Sequence, residues 1–528
     1  MTAVSDRPSV APAPTTPARL RPPTWLLVVA GLAVLAGVVL RFVARSPLWL
    51  DEALTVNIAR VPLGDLQAAL KVDGAPPLYY VLLHAWMAVF GTGTWAVRAL
   101  SGIISLGALV AVWFAARRLA RADATDSTQG STVAWIAVAV LATNPYAIRY
   151  ATEARMYALA ILIVTLGYLA VARAMERPSI GRLAAVALAV AGLLYTQYWG
   201  IYLLAAVGLW LLWGARPKCD TGAAARRVIG AFVAGGVLFL PWLPTFLYQS
   251  ARTGTPWGQA IPPPTGLSYA LLDFSGTDHW EGYSLFMASL LLVALGVFGV
   301  ARSNRTIELD VRGRAATRPV ALVTFGALVI GLSASLASAT AFQGRYAAVV
   351  FPLWVLLVAV GLARFIDARI LAGALIVVVG LGCVGGARNA IENRTQAQQV
   401  ADAINARAKP GDVVAYCPDQ VAPDTSRLVR GNLTGVAFPS GDGPERINWV
   451  DYAKRVEAAD PTAFANSIAE RAGATGAIFF VYSPGYRHFG VKCEAAIDAL
   501  RSRRADQMLV LPDEKLFEKQ GLVFFPAP

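Results

Sequence analysis

The stretch PPLYYVLLHAWMAVF, residues 76–90, decides how this chain is folded. It is apolar enough to enter a bilayer, yet it is short for the ~30 Å hydrocarbon core, which takes about twenty helical residues to cross. It also carries His84. Counted as a span, it places ARRLAR (116–121) outside and inverts every later loop. Laid flat at the outer interface, it leaves ARRLAR, ARAMERPSIGR (172–182), GARPKCDTGAAARR (214–227), ARSNRTIELDVRGRAATR (301–318) and ARFIDAR (363–369) all on the cytoplasmic side. Cytoplasmic loops are the ones that collect arginine. Residues 76–90 are therefore expected to lie at the interface.

The rest of the chain supports a membrane class. Of 528 residues, 56% are hydrophobic and 15% charged, too little charge for a soluble protein of this size. The apolar residues fall in runs, giving about eleven expected spans: 24–44, 95–116, 131–148, 156–172, 183–200, 201–214, 228–247, 283–301, 319–341, 346–363 and 370–387. The net charge of +13 comes largely from the short loops between runs, which is a topology signal and not a nucleic-acid stripe. Residues 1–23, rich in Pro, Ala and Thr, read as a disordered cytoplasmic N-terminus with no signal-peptide cleavage site after them.

On this topology residues 45–94 form a long external loop of two or three short amphipathic helices. ATEARMYA (151–158), YTQYWG (195–200), the loop 248–282 and QGRY (343–346) also face outward. Residues 24–387 make the transmembrane domain. From 388 to 528 the composition turns mixed and polar. Strand-like runs at 411–417, 434–438 and 476–483 alternate with helical patterns at 396–407, 462–472 and 493–504. That reads as an external α/β domain with a partly parallel sheet. Cys417 and Cys493 both fall there, where disulfides persist, and spacing alone leaves their pairing open. Cys219 is expected in the cytoplasm and Cys383 in the membrane.

The chemistry points to SPLWLDEALTVNIARV, residues 46–61, where Asp51 and Glu52 stand at the membrane edge. Acidic residues suit the first turn of a helix, and that is their ordinary reading. Around them, however, the outer face gathers Asp73, Arg149, Glu153, Arg155 and Arg345 in a chain that otherwise keeps arginine inside. A carboxylate can take a proton from an acceptor hydroxyl, and guanidinium groups can hold a departing phosphate. A lipid-linked phosphosugar would present both partners at a bilayer surface. No Walker-type or GxGxxG loop suggests a nucleotide, and neither a CxxC nor an HExxH pattern suggests zinc. No cofactor is expected, with dependence on a divalent metal left open. Most aromatics at the outer span ends read as an interfacial belt, with Tyr79, Tyr157 and Tyr198 as candidates to touch substrate.

The ordered set PLWLDEALT, DGAPPLYYVLLHAWMAVFGTGTWAVRALS and NPYAIRYATEARMYALAIL resembles membrane glycosyltransferases of the GT-C superfamily. The nearest group is family 39 and its relatives, the bacterial protein mannosyltransferases and aminoarabinose lipid A transferases. The resemblance covers about residues 24–250 and continues to QGRYAAVVFPLWVLL, similar to the family's late Arg-Tyr element, here Arg345 and Tyr346. It implies Asp51 as catalytic base supported by Glu52, Asp73 near the acceptor or sugar, and Arg155 and Arg345 on the polyprenyl phosphate. Gly74 and Ala75 stand where many relatives carry histidine or a bulkier residue, which weakens any transfer of substrate preference.

The resulting expectation is a multi-pass plasma-membrane enzyme with its site and C-terminal domain on the external face. It would move mannose or an arabinofuranose-like sugar from a polyprenyl-phosphate donor to a glycan, lipoglycan or protein acceptor, with membrane lipids and no nucleic acid as its other partners. The alternatives are a lipid-linked sugar flippase and a non-catalytic envelope assembly scaffold. A flippase would bury its charges mid-membrane within inverted repeats, whereas here they gather at the outer edge.

Overall fold

The computed structural model describes residues 22–123, 129–217, 221–276 and 279–528. Nearly all of the expected N-terminal segment, and Cys219, lie outside the described residues. Among the described residues, Thr94–Asp123, Tyr157–Glu176, Gly222–Arg252, Trp280–Phe298, Arg318–Ala337 and Ala368–Ile391 are long and apolar enough to cross a membrane. They number six, or seven if the bent pair Gly130–Thr143 and Pro145–Ala151 is one span. Thr24–Leu40, Leu78–Phe90, Ile180–Leu194, Gly200–Gly214 and Phe351–Leu362 are shorter apolar helices. Phe351–Leu362 is buried on every side, as a helix that is apolar all round must be when it forms the centre of a bundle.

The bend of 59° has a local cause. Pro145 cannot donate a backbone hydrogen bond, and the Asn144 side chain caps the new helix by accepting the Ala147 N–H. The carbonyls freed by the break need partners. Arg41, itself buried, donates to Ala142 O at 2.6 Å and Leu141 O at 3.1 Å. The result delivers Tyr146, Arg149 and Tyr150 to one end of the bundle.

Charged groups sort to the two ends. At one end Asp123 pairs with Arg314 at 2.6 Å and with Arg364, and Arg118 pairs with Glu176. Four of the arginine-rich loops thus meet by ion pairing. At the opposite end Asp51, Arg155 and Arg345 meet. Between Asp73 and Arg98, both at that second end, lies the helix Leu78–Phe90, so the chain enters and leaves it on one side. The decisive segment packs against Leu50–Ala59 and Thr94–Asp123, and its Tyr80 hydrogen-bonds Asp73.

The C-terminal region holds a five-stranded sheet ordered Thr434–Ala437, Val413–Cys417, Ile478–Tyr482, Gly521–Phe525 and Gln507–Val510. The first three strands are parallel and the last two antiparallel. Alternation sets the two faces. Val413, Ala415, Ile478 and Phe480 pack under the helices Pro461–Ala472 and Lys492–Arg501. Val414, Tyr416, Phe479 and Val481 pack under Ala397–Asn405. Cys417 and Cys493 are joined in a disulfide, fixing a strand end to a covering helix. Two features go beyond the sequence reading: the antiparallel pair that completes the sheet, and a hairpin of Gly299–Ser303 with Thr306–Leu309 inside an arginine-rich loop.

Candidate active site

Asp51 is the second residue of the helix Leu50–Ala59. Its carboxylate Oδ2 stands 3.0 Å from Arg345 Nη1 and 3.8 Å from Arg155 Nη2. Arg155 is anchored to the same helix by donating to Thr55 Oγ1 at 2.8 Å. Arg345 sits among the rings of Trp49, Trp257 and Tyr346, at 5.5, 5.5 and 5.8 Å from its guanidinium carbon. Burial opposes the charge of both arginines, but Asp51 and nearby phenolic groups outweigh it, so both hold their protons more firmly than usual. The Nε of each is buried without a hydrogen-bond partner among the described residues.

Glu52 points elsewhere, since successive helical residues differ by about 100°. It is fully buried and accepts from Arg98 Nε at 2.7 Å, Arg98 Nη2 at 2.5 Å and the Ala154 N–H at 2.9 Å. Burial would raise this carboxyl, but Arg98, Arg394 and the Ala154 N–H hold it below its ordinary value. Its evident work is to fasten the Asp51 helix to the bundle. Asp73 ends the helix Leu63–Asp73 and accepts from the Tyr80 hydroxyl at 3.2 Å. Burial pushes its carboxyl up to about 6, against the pull of Arg155. The chain then turns through Gly74 at φ +92°, where a β-carbon would also come within 2.8 Å of Thr253 Oγ1. Only glycine satisfies both conditions without strain.

A cavity of about 460 Å³ brings together Asp51, Asp73, Arg155, Tyr198, Arg345 and Tyr346. A smaller one of about 190 Å³, on the other side of Arg345, holds Arg149 and Glu153. Arg149 Nε and Arg394 Nη1 both donate to Glu153 Oε1, at 3.1 and 3.2 Å. Glu52, Tyr79 and Tyr157 line neither cavity. Tyr79 hydrogen-bonds Ser101 at 2.8 Å behind the site, and Tyr157 packs edge-on against Tyr150. Tyr198 is held by Gln249 and by the Trp242 indole N–H. Among the described residues no group of three His, Cys, Asp or Glu is placed to hold a metal ion.

Sequence reasoning passed over Arg98, Trp257, Arg394, Trp449 and Glu518. Arg98 and Arg394 carried a usable signal, being arginines outside the five arginine-rich loops, like Arg155. The tail residues Trp449, which lines the larger cavity, and Glu518 carried none, because only the fold brings residues so distant to the Asp51 helix.

Comparisons with known proteins agree with this architecture. Residues 74–244 match a family model described as dolichyl-phosphate-mannose-protein mannosyltransferase. The crystal structure of ArnT from Cupriavidus metallidurans in the apo state superimposes with a TM-score of 0.59 at 13% identity, over 95% of this chain and 98% of that one. The same protein bound to undecaprenyl phosphate gives 0.54 at 12% identity with the same coverage. At such identity the likeness speaks for the fold. No curated protein sequence matches the chain. The resemblance to the GT-C superfamily thus stands on a family model and on a shared fold: a helical membrane body with a C-terminal sheet region.

Proposed function

We propose that the chain is a membrane glycosyltransferase that moves a sugar from a polyprenyl-phosphate carrier to a cell-envelope acceptor. The observation that carries this reading is the Asp51 carboxylate held beside Arg345 and Arg155 in one cavity. Asp51 takes the proton of the acceptor hydroxyl as its oxygen attacks the anomeric carbon. The bond from that carbon to the phosphate oxygen breaks, and its electron pair leaves with the polyprenyl phosphate. Arg155 and Arg345 stabilise the negative charge that grows there. Attack opposite the leaving group inverts the anomeric centre. Glu52 holds the Asp51 helix in place, and Asp73 lies across the cavity, within reach of an acceptor or sugar hydroxyl. The undecaprenyl phosphate bound by ArnT supports a polyprenyl carrier here.

Mannose and arabinofuranose are the donor sugars we favour, with a cell-wall glycan, lipoglycan or protein as acceptor. The site and the C-terminal domain face outward in this reading, because arginine gathers at the opposite end. Cysteines introduced at Ala122 and Arg430 should then label from opposite sides of the membrane, and labelling from one side would refute the orientation. The reaction itself is tested by incubating purified protein with a panel of polyprenyl-phosphate sugars. Release of polyprenyl phosphate from at least one is expected; none from any would refute the reading.

A further inference from the structure

The helix that carries Asp51 begins without help from its own neighbours. Its N-cap is Trp49, whose side chain makes no capping hydrogen bond. The first N–H groups of a helix lack intrahelical partners and need an acceptor. For Leu50 the acceptor comes from the far end of the chain. Both carboxylate oxygens of Glu518 accept the Leu50 N–H, at 3.1 and 3.0 Å, across a sequence separation of 468.

Glu518 is well placed to act as a fixed point. It is 6% exposed, and its backbone is locked on both sides. Its N–H donates to Arg394 O and its carbonyl accepts from the Gln396 N–H, each at 3.0 Å, in a parallel bridge to Thr395. Trp49 and Leu50 are themselves packed into the hydrophobic cluster on one face of the C-terminal sheet. The same region grips the other end of the helix. Arg427 donates to Asn57 Oδ1 at 2.9 Å, and Asn57 Nδ2 donates to Glu445 O at 2.7 Å. The Asp51 helix is therefore held from the bundle side through Glu52 and from the tail side through Glu518, while the Asp51 carboxylate between them faces the cavity.

We propose that Glu518 is a positioning residue for Asp51, which makes the C-terminal region a working part of the catalytic site. The inference rests on the proposed function, in which Asp51 is the base. Leu50 directly precedes Asp51, so a slip at the Leu50 N–H moves the carboxylate against its two arginines. Misplacement by about 1 Å typically costs on the order of 10²-fold in rate.

Two substitutions reach this contact from its two sides in the full-length protein. Glu518→Ala removes the acceptor. Leu50→Pro removes the donor, and proline is well tolerated at the first helical position, with Trp49 already extended before it. Each should lower kcat by about 10- to 100-fold, with affinity for polyprenyl phosphate kept within about threefold. The double variant should be no slower than the worse single one, since both remove one contact. Glu518→Gln keeps an acceptor oxygen and should restore most of the turnover, which a lost charge would not allow. Wild-type kcat in folded Glu518→Ala and Leu50→Pro would overturn the inference alone, as would additive losses or a Gln variant as slow as Ala. A wild-type protein that releases polyprenyl phosphate from no donor overturns the proposed function first.

Discussion

Carboxyl groups with little access to water occur in both halves of this molecule, and most of them are partnered differently in the two. Around Asp51 most are matched with arginine: Glu52 with Arg98, Glu153 with Arg149 and Arg394, and the half-buried Asp51 with Arg345 and Arg155, while Asp73 takes the Tyr80 hydroxyl instead. In the C-terminal region Asp419, Asp424 and Glu518 are matched with neutral donors. Tyr452 serves Asp419, Thr395 and Gln520 serve Asp424, and the Leu50 N–H serves Glu518. The consequence is a difference in protonation. Glu52 is held below its ordinary value, while burial pushes Asp419 and Asp424 up to about 7 and Glu518 well above its own. Burial alone does not set the charge of a site; the partner does. Where arginine stands beside a carboxyl shut off from water, the carboxyl keeps its charge.

This contrast is open to attack, first where the effect is largest. Glu52→Ala leaves Arg98 buried and unpaired, and breaking such a pair typically costs about 3–5 kcal/mol. Thermal unfolding of the purified protein should show a loss of that size; less than about 1 kcal/mol would mean that the pair is not what holds the helix. Next, Arg345→Ala removes a charge from the proposed phosphate site and should weaken binding of polyprenyl phosphate by about 2–5 kcal/mol, with unfolding little changed. Unaltered affinity would reduce Arg345 to an interfacial anchor.

The smallest effect concerns the other half. A carboxyl that titrates near 7 when folded and near ~3.9 when unfolded stabilises fully below pH ~4. That contribution is lost as the pH rises through 7, at up to about 1.4 kcal/mol per pH unit for one group. Resistance of the C-terminal region to protease should therefore fall between pH 5 and pH 8. Asp419→Asn should flatten the fall, because asparagine has no proton to lose. A slope unchanged by the substitution would mean that Asp419 is ionised in the fold after all.

How much of this was legible beforehand follows from the same physics. Asp51, Arg155 and Arg345 stood out in sequence as charged residues at span ends, outside the five arginine-rich loops. Charge at a membrane edge is costly unless it is solvated, paired or used. The parallel core of the sheet showed in the apolar runs at 411–417 and 476–483. The strands Gln507–Val510 and Gly521–Phe525 were missed because they owe their form to pairing with each other and with Ile478–Tyr482. Glu52 was expected to support Asp51, but its partner Arg98 was not read, for a related reason. In sequence it is the twin of Asp51, and only the fold puts Arg98 beside one and Arg345 beside the other. Residues whose meaning lies in a distant partner, Glu518 above all, carry no local mark.

The central claim is that Asp51 is there to take a proton. Asp51→Asn keeps the size and hydrogen-bonding reach of the side chain but cannot accept that proton, and a positioned acid–base group contributes typically about 10²–10⁴-fold. Release of polyprenyl phosphate from a competent polyprenyl-phosphate sugar, measured under saturating donor, should fall by that factor in Asp51→Asn while binding of polyprenyl phosphate itself is retained. Turnover equal to wild type would contradict the account and leave Asp51 as the acidic first turn of a helix.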